Sequence, residues 1–285
     1  MTQVDDAFDG LKSNLEITDE ESRLAQSRHK LIREHIEGSW QLLEHFLTGS
    51  YDRHTKTKKL KDVDIFAVID PDGPQGYLAD GTGTDAVEAL RDLLKSRWPD
   101  VASDDNVVTV NYAGEDVASY EVAPAFPRDG GGYRMPAGAG WMATDPSKHA
   151  DMVTSKNKEC DARFVPFIKM VKGINREASE PIEQSFLLEV MGLDLVLPPF
   201  DRYRDEIRFF LASVADRITE DWRDPAGLGP DVNSRVPAWR RSELADIVRG
   251  WLATAEEALL LENDGRDRAA VEKWRELFGW RMPRP

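Results

Sequence analysis

The sequence predicts an α+β protein in two lobes, a mixed sheet-and-helix lobe over residues 1–140 and a helical lobe over residues 141–285. Three observations carry this. Apolar residues recur at helical spacing from Leu24 to Leu47, form strand-length runs between Val63 and Ala123, and return to helical spacing from Asp145 to Phe278. Between the last two regimes, Pro127 to Gly140 is rich in glycine and proline and reads as a loop or a ragged edge strand, the natural lobe boundary.

The first helix is marked by Thr18 and Glu21 as a capping box, then by Leu24, Leu31, Ile32, Ile36, Trp40, Leu43 and Leu47. It is expected to run to about Thr48. At roughly 30 residues it is long for a globular helix, so it is read as bridging more than one part of the fold. Val63 to Ile69 is apolar on both faces after its start, as a central strand is. Pro71 to Gly83 reads as a loop, and Thr84 as the cap of a helix carrying Ala86, Leu90, Leu93 and Leu94. Val107 to Tyr112 and Ala118 to Ala123 read as two strands joined by a hairpin at Ala113-Gly114-Glu115-Asp116. Helices are then expected at Asp145 to Lys156, Ala162 to Arg176, Glu183 to Met191, Asp201 to Ile218, Ser242 to Leu261 and Arg268 to Phe278. Asp221 to Pro237 interrupts them with three prolines and two glycines, too long and broken for an ordinary helix connection.

Composition narrows the function. The 285-residue chain carries a net charge of -15, so its average field repels phosphate backbones and anionic membranes, and stable duplex nucleic-acid binding is not expected. A triphosphate can still be handled where a divalent metal and a few local cations cancel charge. The single cysteine, Cys160, excludes an internal disulfide, and the five histidines form no close metal-ligand pair, so a metal here is expected on carboxylates. With no secretory-type start, no membrane-length apolar run and a mean hydropathy of -0.51, the chain reads as cytoplasmic and not membrane-bound.

The chemistry-bearing residues cluster around one strand. Asp62 and Asp64 are one residue apart at its entrance, and strand periodicity puts both carboxylates on the same face, where they can share metals. Alone, D-x-D is common in acidic proteins and reads as a solvated strand start. Gly49-Ser50 just upstream permits a tight turn whose N–H groups and hydroxyl can hold phosphate oxygens, though by itself it signals only a turn. Glu121 would join the pair if its strand neighbours theirs. The basic run Lys56, Lys58, Lys59 and Lys61 reads equally as a phosphate-gathering loop or a solvated one, and the tryptophans as packing.

Taken together, GSYDRHTKTKKLKDVDIF at 49–66 resembles the nucleotidyltransferase signature of the polymerase-β superfamily. EVAPAF at 121–126, GWMATDPSKH at 140–149, FIKMVKGINR at 167–176 and SFLLEV at 185–190 narrow the resemblance. In that order they look like the cGAS/DncV-like nucleotidyltransferases (CD-NTases) of bacterial anti-phage (CBASS) signalling, from about residue 18 to the end.

The resemblance implies a polymerase-β-like lobe and a helical lobe with the active site in the cleft between them, making a cyclic di- or trinucleotide second messenger from nucleoside triphosphates. It implies Asp62, Asp64 and Glu121 as the metal-binding triad for two Mg²⁺ ions, with Mn²⁺ as an alternative. Gly49 and Ser50 would hold the donor phosphates, and Lys172 and Ser185 would contact the triphosphate from the helical lobe. WRDPAGLG at 222–229 resembles the nucleotide-pocket loop, making Asp224 a candidate ribose or base contact, with Lys169 a lesser candidate. The implied partners are ATP and other triphosphates, GTP or pyrimidine nucleotides among them, an effector protein that reads the product and, in some members, a regulatory protein. Two departures stand out: the third carboxylate is glutamate where aspartate is common, and His54 and Lys61 occupy places where glycine and serine are frequent. Transfer to another acceptor, such as an antibiotic or a protein, and an inactive nucleotide-sensing scaffold are the alternative readings.

Overall fold

The computed structural model describes residues 2–112, 114, 117 and 119–285. In chain order its elements are α1 (Gln3–Leu15), α2 (Asp19–Glu37), β1 (Leu42–Leu47), α3 (Gly49–Asp52), β2 (Asp62–Ile69), α4 (Gly83–Lys95), β3 (Val101–Ser103), β4 (Val108–Asn111), β5 (Ser119–Pro127), β6 (Tyr133–Ala137) and β7 (Gly140–Thr144). Helices follow: α5 (Pro146–Glu159), α6 (Phe164–Glu177), α7 (Phe186–Leu195), α8 (Tyr203–Arg217), α9 (Ala238–Asn263) and α10 (Asp267–Phe278). The fold is α+β, as the sequence predicts.

The chain forms two compact units. One gathers Ile17–Ala150 with Ala226–Gly229, and the other gathers the N-terminal segment to Glu16 with Asp151–Pro225 and Pro230–Pro285. In the first, the sheet order is β1-β2-β5-β4-β3, with β6 and β7 continuing from β5. Among the described residues only β2 and β5 pair in parallel, and every other ladder is antiparallel. One face of β2 and β5 carries Val63, Ile65, Ala67, Tyr120 and Val122 into a core with α2 and α4. The other carries Phe66, Val68, Ala123 and Ala125 into a smaller cluster, where the rings of Phe46, Phe66 and Tyr133 stand with centroids 5.5 to 5.8 Å apart. In the second unit α1 packs with the helices after residue 151 around Leu11, Leu15, Phe164, Phe167, Trp274 and Phe278, with Phe8 set edge-on to Trp274.

The expected 30-residue helix is not formed. Its capping box is real, since the Thr18 side chain accepts from the Glu21 N–H and the Glu21 carboxylate from the Thr18 N–H, but α2 stops at Glu37, where Gly38 caps it. Residues 42–47 become a strand because they hydrogen-bond along β2, with Phe46 stacked on Phe66 and Leu43 left 54% exposed by a bulge. The apolar spacing of Leu43 and Leu47 is therefore incidental. The sequence reading also passed over α1 and β3, while the stretch read as a loop or a ragged edge strand supplies β6, which pairs with β5 and forms a hairpin with β7. The cap of α4 is Thr82 rather than Thr84. Of the expected hairpin at 113–116, residues Ala113, Glu115 and Asp116 lie outside the described residues.

Glu21 does more than cap its helix. Only 4% exposed, it spends its second oxygen on the backbone N–H of Leu60 at 2.7 Å, fixing the chain two residues before β2. Glu21→Ala removes the carboxylate half of the capping box and leaves the buried Leu60 N–H short of its acceptor, and should cost about 1–3 kcal/mol in chemical denaturation. Glu21→Gln, which keeps an acceptor, should cost less.

Candidate active site

The pairing of β2 with β5 decides where the carboxylates meet. The register sets Asp64 opposite Glu121 and Asp62 opposite Ser119. Because the strands are parallel and in register, Asp62, Asp64 and Glu121 share one face, the face that leads along the strands to Phe66 and Ala123. On the opposite face the neighbours Val63 and Tyr120 are fully buried, while Asp62 is exposed and Asp64 and Glu121 are half-buried. The expectation that the Glu121 strand flanks the Asp62 strand is thus met by direct hydrogen bonding.

Their electrostatics follow from that proximity. The Glu121 carboxyl is pushed up to about 7, first by burial and then by the negative charges of Asp64, Asp62 and Asp104. Asp104 comes from the turn between β3 and β4, where its carboxylate accepts the N–H groups of Asn106 at 2.7 Å and Val107 at 2.9 Å. Sequence reading passed over it because its place depends on β4 lying next to β5.

The Gly49-Ser50 turn stands against Asp64. It follows β1 directly, and not the end of a helix as expected, so the turn inherits its position from the β1–β2 ladder; the Thr48 N–H donates to the Asp64 carbonyl at 2.9 Å. Gly49 has φ +62, and any side chain there would collide with the Asp64 carboxylate. Only glycine allows the backbone of the turn to lie against that aspartate. Ser50, half-buried, is the second residue of the single turn of α3, and its carbonyl accepts the N–H groups of Thr55 at 3.0 Å and Lys56 at 3.1 Å. His54, standing where glycine is frequent, takes the glycine-like conformation with φ +57, which histidine tolerates better than most residues.

The helical unit holds the other candidates. Lys172 on α6 is only 7% exposed, and its ammonium pairs with the fully buried Glu189 of α7 at 2.6 Å. Ser185 immediately precedes α7, four residues before Glu189. Lys169 pairs with Glu16 at 2.5 Å. Asp224, 9% exposed, is buried in the irregular segment before α9, which Asn233 organises by accepting the Trp222 N–H and donating to the Glu220 carbonyl.

Three carboxylates on one sheet face suit a hard divalent ion such as Mg²⁺ in donor chemistry, and their mutual repulsion is what such an ion would relieve. Among the described residues no three acidic, histidine or cysteine side chains are already gathered into a metal cluster. The fit therefore rests on register and charge.

Comparison with known proteins identifies the fold and the family. Residues 1–157 match the Second Messenger Oligonucleotide or Dinucleotide Synthetase domain, more than half of the chain. A cyclic AMP-AMP-AMP synthase from an Acinetobacter strain is 28% identical, the alignment covering 90% of this chain and 79% of that one. Among solved structures, the CD-NTase CdnG of Bradyrhizobium diazoefficiens in complex with GTP superposes with a TM-score of 0.76 at 15% identity over 98% and 96% of the two chains. Escherichia coli CdnC gives 0.70 at 16% identity, both with ATP, covering 99% and 98%, and in a complex with HORMA-deltaN, covering 96% of each. These likenesses fix the polymerase-β-like fold of the CD-NTases. The chain belongs to the Second Messenger Oligonucleotide or Dinucleotide Synthetase family, the nucleotidyltransferases that build cyclic nucleotide second messengers from nucleoside triphosphates.

Proposed function

We propose that this nucleotidyltransferase works through Asp62, Asp64 and Glu121, and that the observation carrying this assignment is the register that sets Glu121 directly beside Asp64 on the parallel β2–β5 pair. The same three residues are proposed to hold two Mg²⁺ ions, with Mn²⁺ able to substitute. When bound, such ions activate an acceptor hydroxyl and offset charge on the departing pyrophosphate. The protein's part is to fix three carboxylates on one face, to keep the Gly49-Ser50 turn in contact with Asp64, and to offer N–H groups and the Ser50 hydroxyl to the donor phosphates. In the reaction a ribose 2'- or 3'-oxygen bonds to the donor α-phosphorus while the bond to the β-phosphate bridging oxygen breaks. Pyrophosphate leaves, and a second transfer closes the ring.

Lys172, Ser185 and Asp224 are proposed nucleotide contacts. ATP is the first substrate to test, since the E. coli neighbour was solved with ATP and the Acinetobacter relative is a cyclic AMP-AMP-AMP synthase; GTP, bound by the Bradyrhizobium neighbour, is the second. A regulatory partner is supported by the HORMA-deltaN complex of CdnC. An effector that reads the product, a role in anti-phage defence and a cytoplasmic location complete the reading. Among the described residues no helix is long and apolar enough to cross a membrane.

Three outcomes test this. Asp62→Asn with Asp64→Asn should abolish the phosphatase-resistant product formed from labelled triphosphates and Mg²⁺, while leaving the metal-free melting temperature the same or higher, because two repelling charges are removed. Turnover at the wild-type rate would remove these residues from the site.

Glu121 links the site to pH. Its folded-state pKa of about 7 lies above the ordinary carboxylate value, so the folded protein binds this proton more tightly than the unfolded chain. The stability it contributes is fully present at low pH and is lost as pH rises from about 4.5 to about 7. His29, held down to about 4 by burial, first of all, and by the charge of His45, loses stability in the opposite direction as pH falls. The difference between wild type and Glu121→Gln isolates the carboxylate. Without metal, melting temperatures of wild type should fall relative to the variant between pH 5 and pH 7, and Mg²⁺ should reduce that gap. With substrate, the variant should still bind a non-hydrolysable triphosphate but turn over slower by orders of magnitude.

Lys172 needs a paired test. Removing one partner of a buried ion pair costs on the order of 3–5 kcal/mol, so Lys172→Ala should be markedly destabilised whatever its role in binding. Lys172→Met with Glu189→Gln removes both charges and should melt closer to wild type. A raised KM for ATP in that double variant would then report triphosphate contact rather than misfolding.

A further inference from the structure

The chain between α8 and α9, residues 218–237, is irregular, and Arg241, one turn into α9, holds it at both ends. Its Nη1 donates to the carbonyls of Thr219 and Glu220, each at 3.3 Å, and to the Asp221 carboxylate at 2.7 Å. Its Nε donates to the Val236 carbonyl and its Nη2 to the Asn233 carbonyl, both at 2.9 Å. One guanidinium thus ties the stem that leaves α8 to the stem that enters α9. Acceptors in two directions match a planar fork of fixed N–H groups, and a lysine ammonium, with its donors on one atom, cannot reproduce that match.

The clamp continues toward Asp224. Asn233, 1% exposed, accepts the Trp222 N–H at 3.0 Å and donates to the Glu220 carbonyl at 2.8 Å, and the Val232 N–H donates to the Trp222 carbonyl at 2.6 Å. The buried Trp222 indole donates to the Arg217 carbonyl at 3.1 Å. Trp222 is therefore fixed through its N–H, its carbonyl and its ring, and Asp224 follows two residues later. Pro225 and Pro230 stiffen what lies between the stems. The ion pair of Arg241 with Asp221 faces solvent, that carboxylate being 70% exposed, and contributes little by itself. The other acceptors are backbone carbonyls. What Arg241 supplies is geometry, in a segment that regular secondary structure does not define.

We propose that Arg241 is a positioning residue for the bound nucleotide: by pinning both stems of residues 218–237, it sets where Asp224 stands when a nucleotide binds. It acts through the segment and not by contact. This rests on the reading of Asp224 as a ribose or base contact.

A double-mutant cycle tests it. Wild type, Arg241→Lys, Asp224→Ala and the double variant are compared for calorimetric affinity toward a non-hydrolysable ATP analogue with Mg²⁺, for KM and kcat with ATP, and for melting temperature. Arg241→Lys is expected to bind the analogue about tenfold more weakly, with KM raised more than kcat is lowered. Asp224→Ala should lose affinity as well. The double variant should bind no more weakly than the weaker single variant, because both changes remove the same contact. A purely structural arginine would lower the melting temperature without that coupling. Wild-type affinity in Arg241→Lys, or losses that multiply in the double variant, overturns the proposal. If Arg241→Lys does not fold, Asp221→Asn decides: it loosens the clamp at an exposed partner, should melt near wild type and should bind about threefold more weakly. Wild-type affinity in Asp221→Asn would then overturn the proposal. Asp224→Ala with unchanged affinity would instead refute the reading of Asp224, whereas loss in Asp224→Ala with none in Arg241→Lys would refute only the role of Arg241.

Discussion

The parallel pairing of β2 with β5 is the constraint on which the rest of the catalytic unit depends. It joins two strands 57 positions apart in register, Asp64 to Glu121, and among the described residues it is the only parallel pair in a sheet otherwise built from antiparallel ladders. A one-residue slip would turn Glu121 away from the aspartates and bring Tyr120 or Val122 out of the core that α2 and α4 cover. The apolar alternation on the covered face therefore fixes the position of the acidic residues on the open one. Burial sets the register, and the register assembles the carboxylates.

That assembly has an electrostatic cost. Burial first, and then the charges of Asp64, Asp62 and Asp104, hold Glu121 well above the usual carboxylate range. The surroundings take up this strain in charge without relieving it: Glu21 pins Leu60 just ahead of β2, the Thr48 N–H bonds to the Asp64 carbonyl, and Gly49 yields room to the Asp64 side chain. Each contact restrains the backbone rather than the carboxylates. The arrangement suits a site whose charge is meant to be balanced by what binds there. An overall charge of -15 is consistent with this, because attraction of polyphosphate is then confined to a few local cations.

The helical unit shows how a carried-over residue changes meaning once its neighbours are known. Lys172 sits in the run FIKMVKGINR and suits a phosphate contact by position, yet the fold gives it a fully buried partner in Glu189, 17 residues on. Any nucleotide that uses Lys172 must share it with that carboxylate. Substitution at either residue therefore reports on packing before it reports on binding, which is why the charge-neutral double replacement is the informative one.

By itself the sequence determined what local physics can determine. Capping at Thr18, the apolar run of β2, the helices from Asp145 onward and the spacing of Asp62 and Asp64 depend on neighbours within a turn or a strand, so they were readable without knowing the fold. The family motif supplied Glu121, Gly49 and Ser50 as candidates. Tertiary structure decided the rest. Residues 42–47 carry a spacing compatible with helix, and only hydrogen bonding to β2 makes them a strand. The place of Asp104 depends on β4 lying beside β5, the division of the lysine run depends on Lys56 folding back onto Tyr51, and the partner of Lys172 depends on how α7 returns to α6. Each of these is a contact between residues whose separation in sequence carries no periodic signal, so burial and pairing in three dimensions had to select it.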